Sequence, residues 1–94
     1  MNKEVIIKAL IRNQYPEVQA SGVADELMHI DLKLVPLLEK WVNQEGEQDI
    51  TVDGFSLLSL KKQYKMSYPA ALLSIDWLIK EPQIASQAIK RGIK

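Results

Sequence analysis

Residues 56–80 read SLLSLKKQYKMSYPAALLSIDWLIK, and two apolar helical patterns meet in this stretch across a very short break. In the first, Leu57, Leu60 and Tyr64 fall at i, i+3 and i+7; in the second, Ala71, Leu72, Ile75, Leu78 and Ile79 fall on one face. Both spacings follow the 3.6-residue period of an amphipathic helix. The break, Lys65-Met66-Ser67-Tyr68-Pro69, is too short for anything but a tight turn between helices. Pro69 suits the first turn of the second helix, where its missing N–H would have no partner anyway. Ser56 is a good N-cap for the first. The stretch therefore predicts two consecutive helices folded against each other, with the rest of the chain arranged to cover them.

Downstream, Glu81-Pro82 interrupts the helix, and PQIASQAIKRG predicts a last one with Ile84 and Ala88 inward, Ala85 as a further candidate for the inward face, and Gly92 as its stop. Lys90, Arg91 and Lys94 gather at that end, where cations interact favourably with the helix dipole. Upstream, Asp49-Ile50-Thr51-Val52 alternates polar and β-branched residues before Asp53-Gly54, which predicts a short extended segment and a turn. No other run reads as its partner strand. Asp49 to Val52 is therefore expected to pack as an extended connector or to pair with the same segment of a second chain. Phe55 is expected to anchor the start of the Ser56 helix. Before it, EGEQD is an acidic loop without period.

Three helices fill the N-terminal half. Asn2 caps a first helix over NKEVIIKALIRNQY, with Val5, Ile6, Ala9, Leu10 and Ile11 as its apolar face. Tyr15-Pro16 ends it, and Pro16 opens a second helix to about Ile30 with Val23, Leu27 and Ile30 aligned beside Ala20 and Ala24. Gly22 weakens that helix by about 1 kcal/mol relative to alanine, so Ser21 is an alternative N-cap for a shorter one. A third helix starts near Lys33, because Pro36 must lie in a first turn: in a helix interior proline costs about 3 kcal/mol. It aligns Leu34, Leu38 and Trp41, with Val35 and Val42 adjoining, and Trp41 is expected in the core. The predicted fold is all-α: a compact bundle of five or six short helices in one domain, with at most one short extended segment.

At 94 residues and 47% hydrophobic, the chain is long enough to bury one core. It has no cysteine, so disulfides and thiolate metal ligands are excluded. No secretory h-region opens it, and no window approaches the roughly 18 apolar residues of a membrane span. The expected setting is the cytoplasm, with no membrane, metal or cofactor. Formal net charge is zero but uneven: residues 1–53 sum to −5 and residues 54–94 to +5. Such an asymmetry can balance internally, steer a partner or mark a polyanion-binding face.

The catalytic toolkit is sparse. His29 is the one histidine and stands near a helix end two residues before Asp31, too little for a catalytic pair or a zinc site. Glu45, Glu47, Asp49 and Asp53 lack the pattern of a calcium loop and read as a solvated acidic segment. The glycines at 22, 46, 54 and 92 are isolated, so no phosphate loop exists. A non-enzymatic protein is expected.

The spacing from Leu60 through Tyr64, Met66 and Ala71 to Ile75 resembles the helix-turn-helix of DNA-binding regulators, and Ile50 to Val52 resembles a winged-helix lead-in strand. The likeness covers about a third of the chain. It departs from that pattern at Lys61, where a small residue is usual, and at Lys65, where the turn favours glycine. The resemblance implies phosphate contacts from Lys61, Lys62 and Lys65, with Lys80 or the Lys90 and Arg91 end nearby, and Ser67 and Tyr68 as further nucleic-acid contacts. The outward positions of the second helix, Ser67, Tyr68, Ala70, Ser74 and Asp76, offer no Arg, Asn or Gln to read bases, and Asp76 would face phosphates unfavourably. Contact with another protein or a second copy is therefore the first expectation, DNA binding the alternative. Tyr68 is the expected exposed aromatic anchor, and Trp77 is expected either as a second anchor or as core.

Overall fold

The computed structural model describes residues 1–92 and contains six α-helices in that range. They are α1 (Lys3–Arg12), α2 (Glu17–Leu27), α3 (Val35–Val42), α4 (Leu57–Tyr64), α5 (Tyr68–Lys80) and α6 (Pro82–Lys90). A single 3₁₀ turn, Leu32–Leu34, leads into α3, and two short strands, β1 (Thr51–Val52) and β2 (Phe55–Ser56), precede α4. The fold is mostly α, as the apolar periods require. Its Cα radius of gyration is 12.7 Å, close to the ~12 Å of a compact chain of this length.

Local chemistry sets the helix starts. The Asn2 side chain accepts from the Val5 N–H, Ser56 Oγ from Ser59 and Ser67 Oγ from Ala70, so three helices begin on side-chain caps. Pro36, Pro69 and Pro82 all lie in first turns. α2 runs through Gly22 without interruption, so the shorter helix capped by Ser21 is not formed. Lys65 closes α4 in the left-handed region, at φ 53° and ψ 42°, where glycine is the usual residue.

α5 is the centre of the molecule. Seven of its thirteen residues are buried, and it packs against α2, β1, α4 and α6. α4 and α5 remain two helices folded on each other, and Leu60 and Ile75 belong to one core that also takes in Ile6, Leu10, Leu27, Leu34, Leu38 and Ile89. Trp41 lies in that core, as expected. On α1, Ile6, Ala9 and Leu10 are buried, while Val5 and Ile11 lie at the margins of the stripe and stay exposed.

Two expectations are corrected here. Thr51–Val52 pairs with its own chain, antiparallel to Phe55–Ser56 in the register Thr51↔Ser56 and Val52↔Phe55. Asp53 and Gly54 form the two-residue turn, at φ 50° and 83°, the positive-φ pair that a tight hairpin demands. On α6 the inward residues are Ala85 and Ile89, while Ile84 is 59% exposed and Ala88 only partly covered. Both rows have i, i+4 spacing, and packing on α5 selects the row one residue further along.

Candidate functional site

The candidate site lies where the end of α2 meets the second half of α5. Chain segments there are held by a buried carboxylate. Asp76, 7% exposed, accepts the Asp31 backbone N–H at 2.8 Å on Oδ1 and pairs through Oδ2 with Lys80 Nζ at 2.7 Å. Lys80 Nζ also donates to the His29 carbonyl at 2.6 Å. Asp76 and Lys80 thus staple the loop after α2 onto α5. The expectation that Asp76 faces outward is corrected: the loop after α2 covers it, and the backbone N–H of Asp31 turns it from a surface charge into a clamp.

His29 Nδ1 lies 2.8 Å from the Asp25 carbonyl. A carbonyl only accepts, so Nδ1 carries a proton and donates it to the Asp25 carbonyl. Beside this clamp an open groove of about 620 Å³ is lined by Leu73, Ser74 and Trp77 of α5, by Asp25, Glu26 and His29, and by Asp76 and Lys80. Its volume falls within the range of binding clefts. Trp77 is partly exposed in it, which places the residue at the margin of the core and in contact with solvent. Asp25 is joined to Lys3 of α1 at 2.8 Å on the surface. Among the described residues Glu26 has no ion-pair partner.

Tyr68 is corrected. It is 1% exposed, stacked on Trp41 with ring centroids 6.3 Å apart, and its hydroxyl donates to the Gln48 carbonyl at 2.7 Å. Burial pushes its pKa up to about 12. The residue opens α5, but the loop before β1 folds over that end and closes it from water. Ser67 is occupied as well, capping α5 and sharing a hydrogen bond with the Tyr15 hydroxyl.

The basic candidates divide. Lys61 is paired with Glu47 at 2.5 Å, while Lys62, Lys65, Lys90 and Arg91 are exposed. Tyr64 donates its hydroxyl to the Ile89 carbonyl at 2.6 Å and ties the end of α4 to the end of α6. Lys65, Lys90 and Arg91 accordingly share one edge, at the opposite end of α5 from the groove. Lys94 lies outside the described residues.

The acidic segment is more than solvated. Asp49 accepts the Ile50 N–H at 2.8 Å, the Leu58 N–H at 3.0 Å and the Ser56 hydroxyl at 2.8 Å, making a second cap at the start of α4. The Leu58 N–H, with Ser56 and Ile50, holds its carboxyl below the ordinary 3.8 against a smaller opposing effect of desolvation. Among the described residues no group of three or more His, Cys, Asp or Glu is placed to hold a metal ion, and no helix is long and apolar enough to cross a membrane.

No family model, no curated protein and no solved structure matches the chain. Two signals in the sequence point to the groove. α5 carries more apolar residues than one buried face can cover, so a helix with Leu73 and Trp77 at i, i+4 outside that face must leave some of that surface open. The last turn of α2 carries Asp25 and Glu26 with no basic residue, against the preference of the helix dipole.

Proposed function

We propose that the chain is a small non-enzymatic regulatory or adaptor domain that binds another protein or its own copy through its helix-turn-helix-like unit, using the outer face of α5. The observation that carries this reading is the groove: Leu73 and Trp77 leave apolar surface open on the helix around which the whole core is built. A contact made there rests on a rigid element, which favours precise recognition. The burial of α5 weighs against its use as a recognition helix, because its buried side includes Tyr68 and Asp76 and its open side is mainly apolar.

Site-specific photo-cross-linking tests the reading. A photoreactive residue at position 73 should capture a polypeptide that the same residue at position 62 does not. Capture at 62 alone would overturn it.

The shared edge of Lys65, Lys90 and Arg91 favours one second reading, a DNA-binding regulator that holds phosphates with Lys62 and these three, with Lys61 diverted to Glu47. Anisotropy of a mixed-sequence duplex at about 50 and 200 mM salt decides between them. Tight binding that falls steeply with salt, and that is lost when these cations are neutralised, would put DNA first.

A further inference from the structure

Local stability does not account for the charges at the groove's rim. Asp25 and Glu26 stand in the last turn of α2, at the helix end that favours cations, and no basic residue accompanies them. Lys3 offsets Asp25 from α1. Lys80, the cation among the groove's lining residues, is turned onto Asp76 and the His29 carbonyl and is thereby engaged. Glu26 remains unpaired among the described residues, beside the apolar surface of Leu73 and Trp77.

We propose, building on the protein-contact reading above, that this groove takes a short amphipathic segment of another protein, with an aliphatic or aromatic anchor against Leu73 and Trp77 and a Lys or Arg reaching Glu26. The apolar floor rewards burial of an anchor and excludes water, and a cation at the rim relieves the unfavourable charge on α2. An arginine has a further attraction to the Trp77 ring face. From Leu73 to Lys80 the groove side of α5 spans roughly 10 Å at 1.5 Å per residue, enough for anchors one or two turns apart on a bound helix. An acidic segment would be repelled.

The test is selection of a displayed library of random 12-residue peptides against the intact protein, followed by affinity measurement on synthetic peptides with Glu26→Lys and Trp77→Ala variants. Circular dichroism establishes that both variants fold, and Glu26, on the surface, keeps the test valid should Trp77→Ala fail. Enriched peptides should pair an apolar anchor with Lys or Arg, and Glu26→Lys should weaken them about ten-fold or more, as like charges meet at the rim. The same variant should melt about 2–4 °C higher, because a cation now ends α2. Peptides without basic residues, lost in Trp77→Ala but indifferent to Glu26→Lys, overturn this inference and leave the contact reading standing. Failure to enrich any Trp77-dependent peptide overturns both. Light scattering that shows a dimer abolished by Trp77→Ala makes the occupant a second copy and overturns the inference.

Discussion

Replacing Asp76 by alanine removes the one buried charge among the described residues together with the contacts that hold the α2–α3 connection onto α5. Hydrogen bonds to charged groups contribute about 1.5–3 kcal/mol each, and the Asp31 N–H loses such a partner at 2.8 Å. The Lys80 pair adds less, about 0–1 kcal/mol, because Lys80 is 48% exposed and keeps the His29 carbonyl. The sum is a loss of about 2–3 kcal/mol, a large share of the roughly 5–14 kcal/mol of a domain this size. It corresponds to a fall in Tm of about 10–20 °C. Asp76→Asn keeps an acceptor for Asp31 and gives up the ion pair, so it should cost about 1 kcal/mol. Urea unfolding of both variants, with Lys80→Ala closing a double-mutant cycle, measures each share. The reasoning fails if Asp76→Ala unfolds within about 0.5 kcal/mol of the parent, the range of ordinary surface changes. It fails also if the asparagine variant is as damaged as the alanine one, since the clamp on Asp31 would then be inert.

Tyr68→Phe keeps the ring on Trp41 but leaves the Gln48 carbonyl without its donor, and urea unfolding should show a loss of about 1–2 kcal/mol; no loss would mean that Tyr68 is wet. Lys65→Gly relieves a left-handed backbone that costs a non-glycine residue about 1–2 kcal/mol, part of which glycine returns as extra freedom in the unfolded chain. A net gain of about 0.5–1 kcal/mol is expected, and destabilisation would count against the turn geometry. Asp49 is held below its ordinary 3.8 in the folded chain, so its contribution is complete above that value and is lost as pH falls through the lower, folded one. Between about pH 5 and pH 2 the parent should therefore lose more stability than Asp49→Asn, and parallel acid limbs would show that the cap carries no charge-dependent energy.

What was legible in the sequence was what local physics decides. Asn2 and Ser56 bond N–H groups three residues away, and Pro36 and Pro69 fix their own backbone, so none of these needed the rest of the chain. The buried stripes of α4 and α5 follow from period alone. Tyr68 and Asp76 were misplaced because their surroundings come from far along the chain: Trp41 and Gln48 cover the one, Asp31 the other. On α6, Ile84 with Ala88 and Ala85 with Ile89 form equivalent rows, and only the surface of α5 distinguishes them. The hairpin is a different kind of miss. Asp53-Gly54 is a strong turn signal, but its return strand is two residues long and merges with the cap of α4, so Phe55 and Ser56 read as the beginning of a helix. The groove itself is not legible in the sequence because it depends on which side of a largely apolar helix its neighbours leave bare.

A helix-turn-helix shape fixes how two helices cross, and it leaves open which of them meets the partner. For a recognition helix to read bases, its outward face must be polar and free of the protein's own core. In this chain the second helix of the pair is the core: α2, β1, α4 and α6 all pack on it, and Tyr68 and Asp76, the polar groups nearest a reading position, are engaged internally. Contact with DNA would then fall to the ends of α4 and α6, where Lys65, Lys90 and Arg91 can hold phosphates but carry no sequence information. On the proposed contact reading, selectivity comes from a surface where shape and charge vary together. The groove beside Trp77 combines an apolar floor with an acid, unpaired among the described residues, at the end of a helix that would be more stable without it. Placing a partner there uses the rigidity of the central helix, whereas placing it on the basic edge would use only charge.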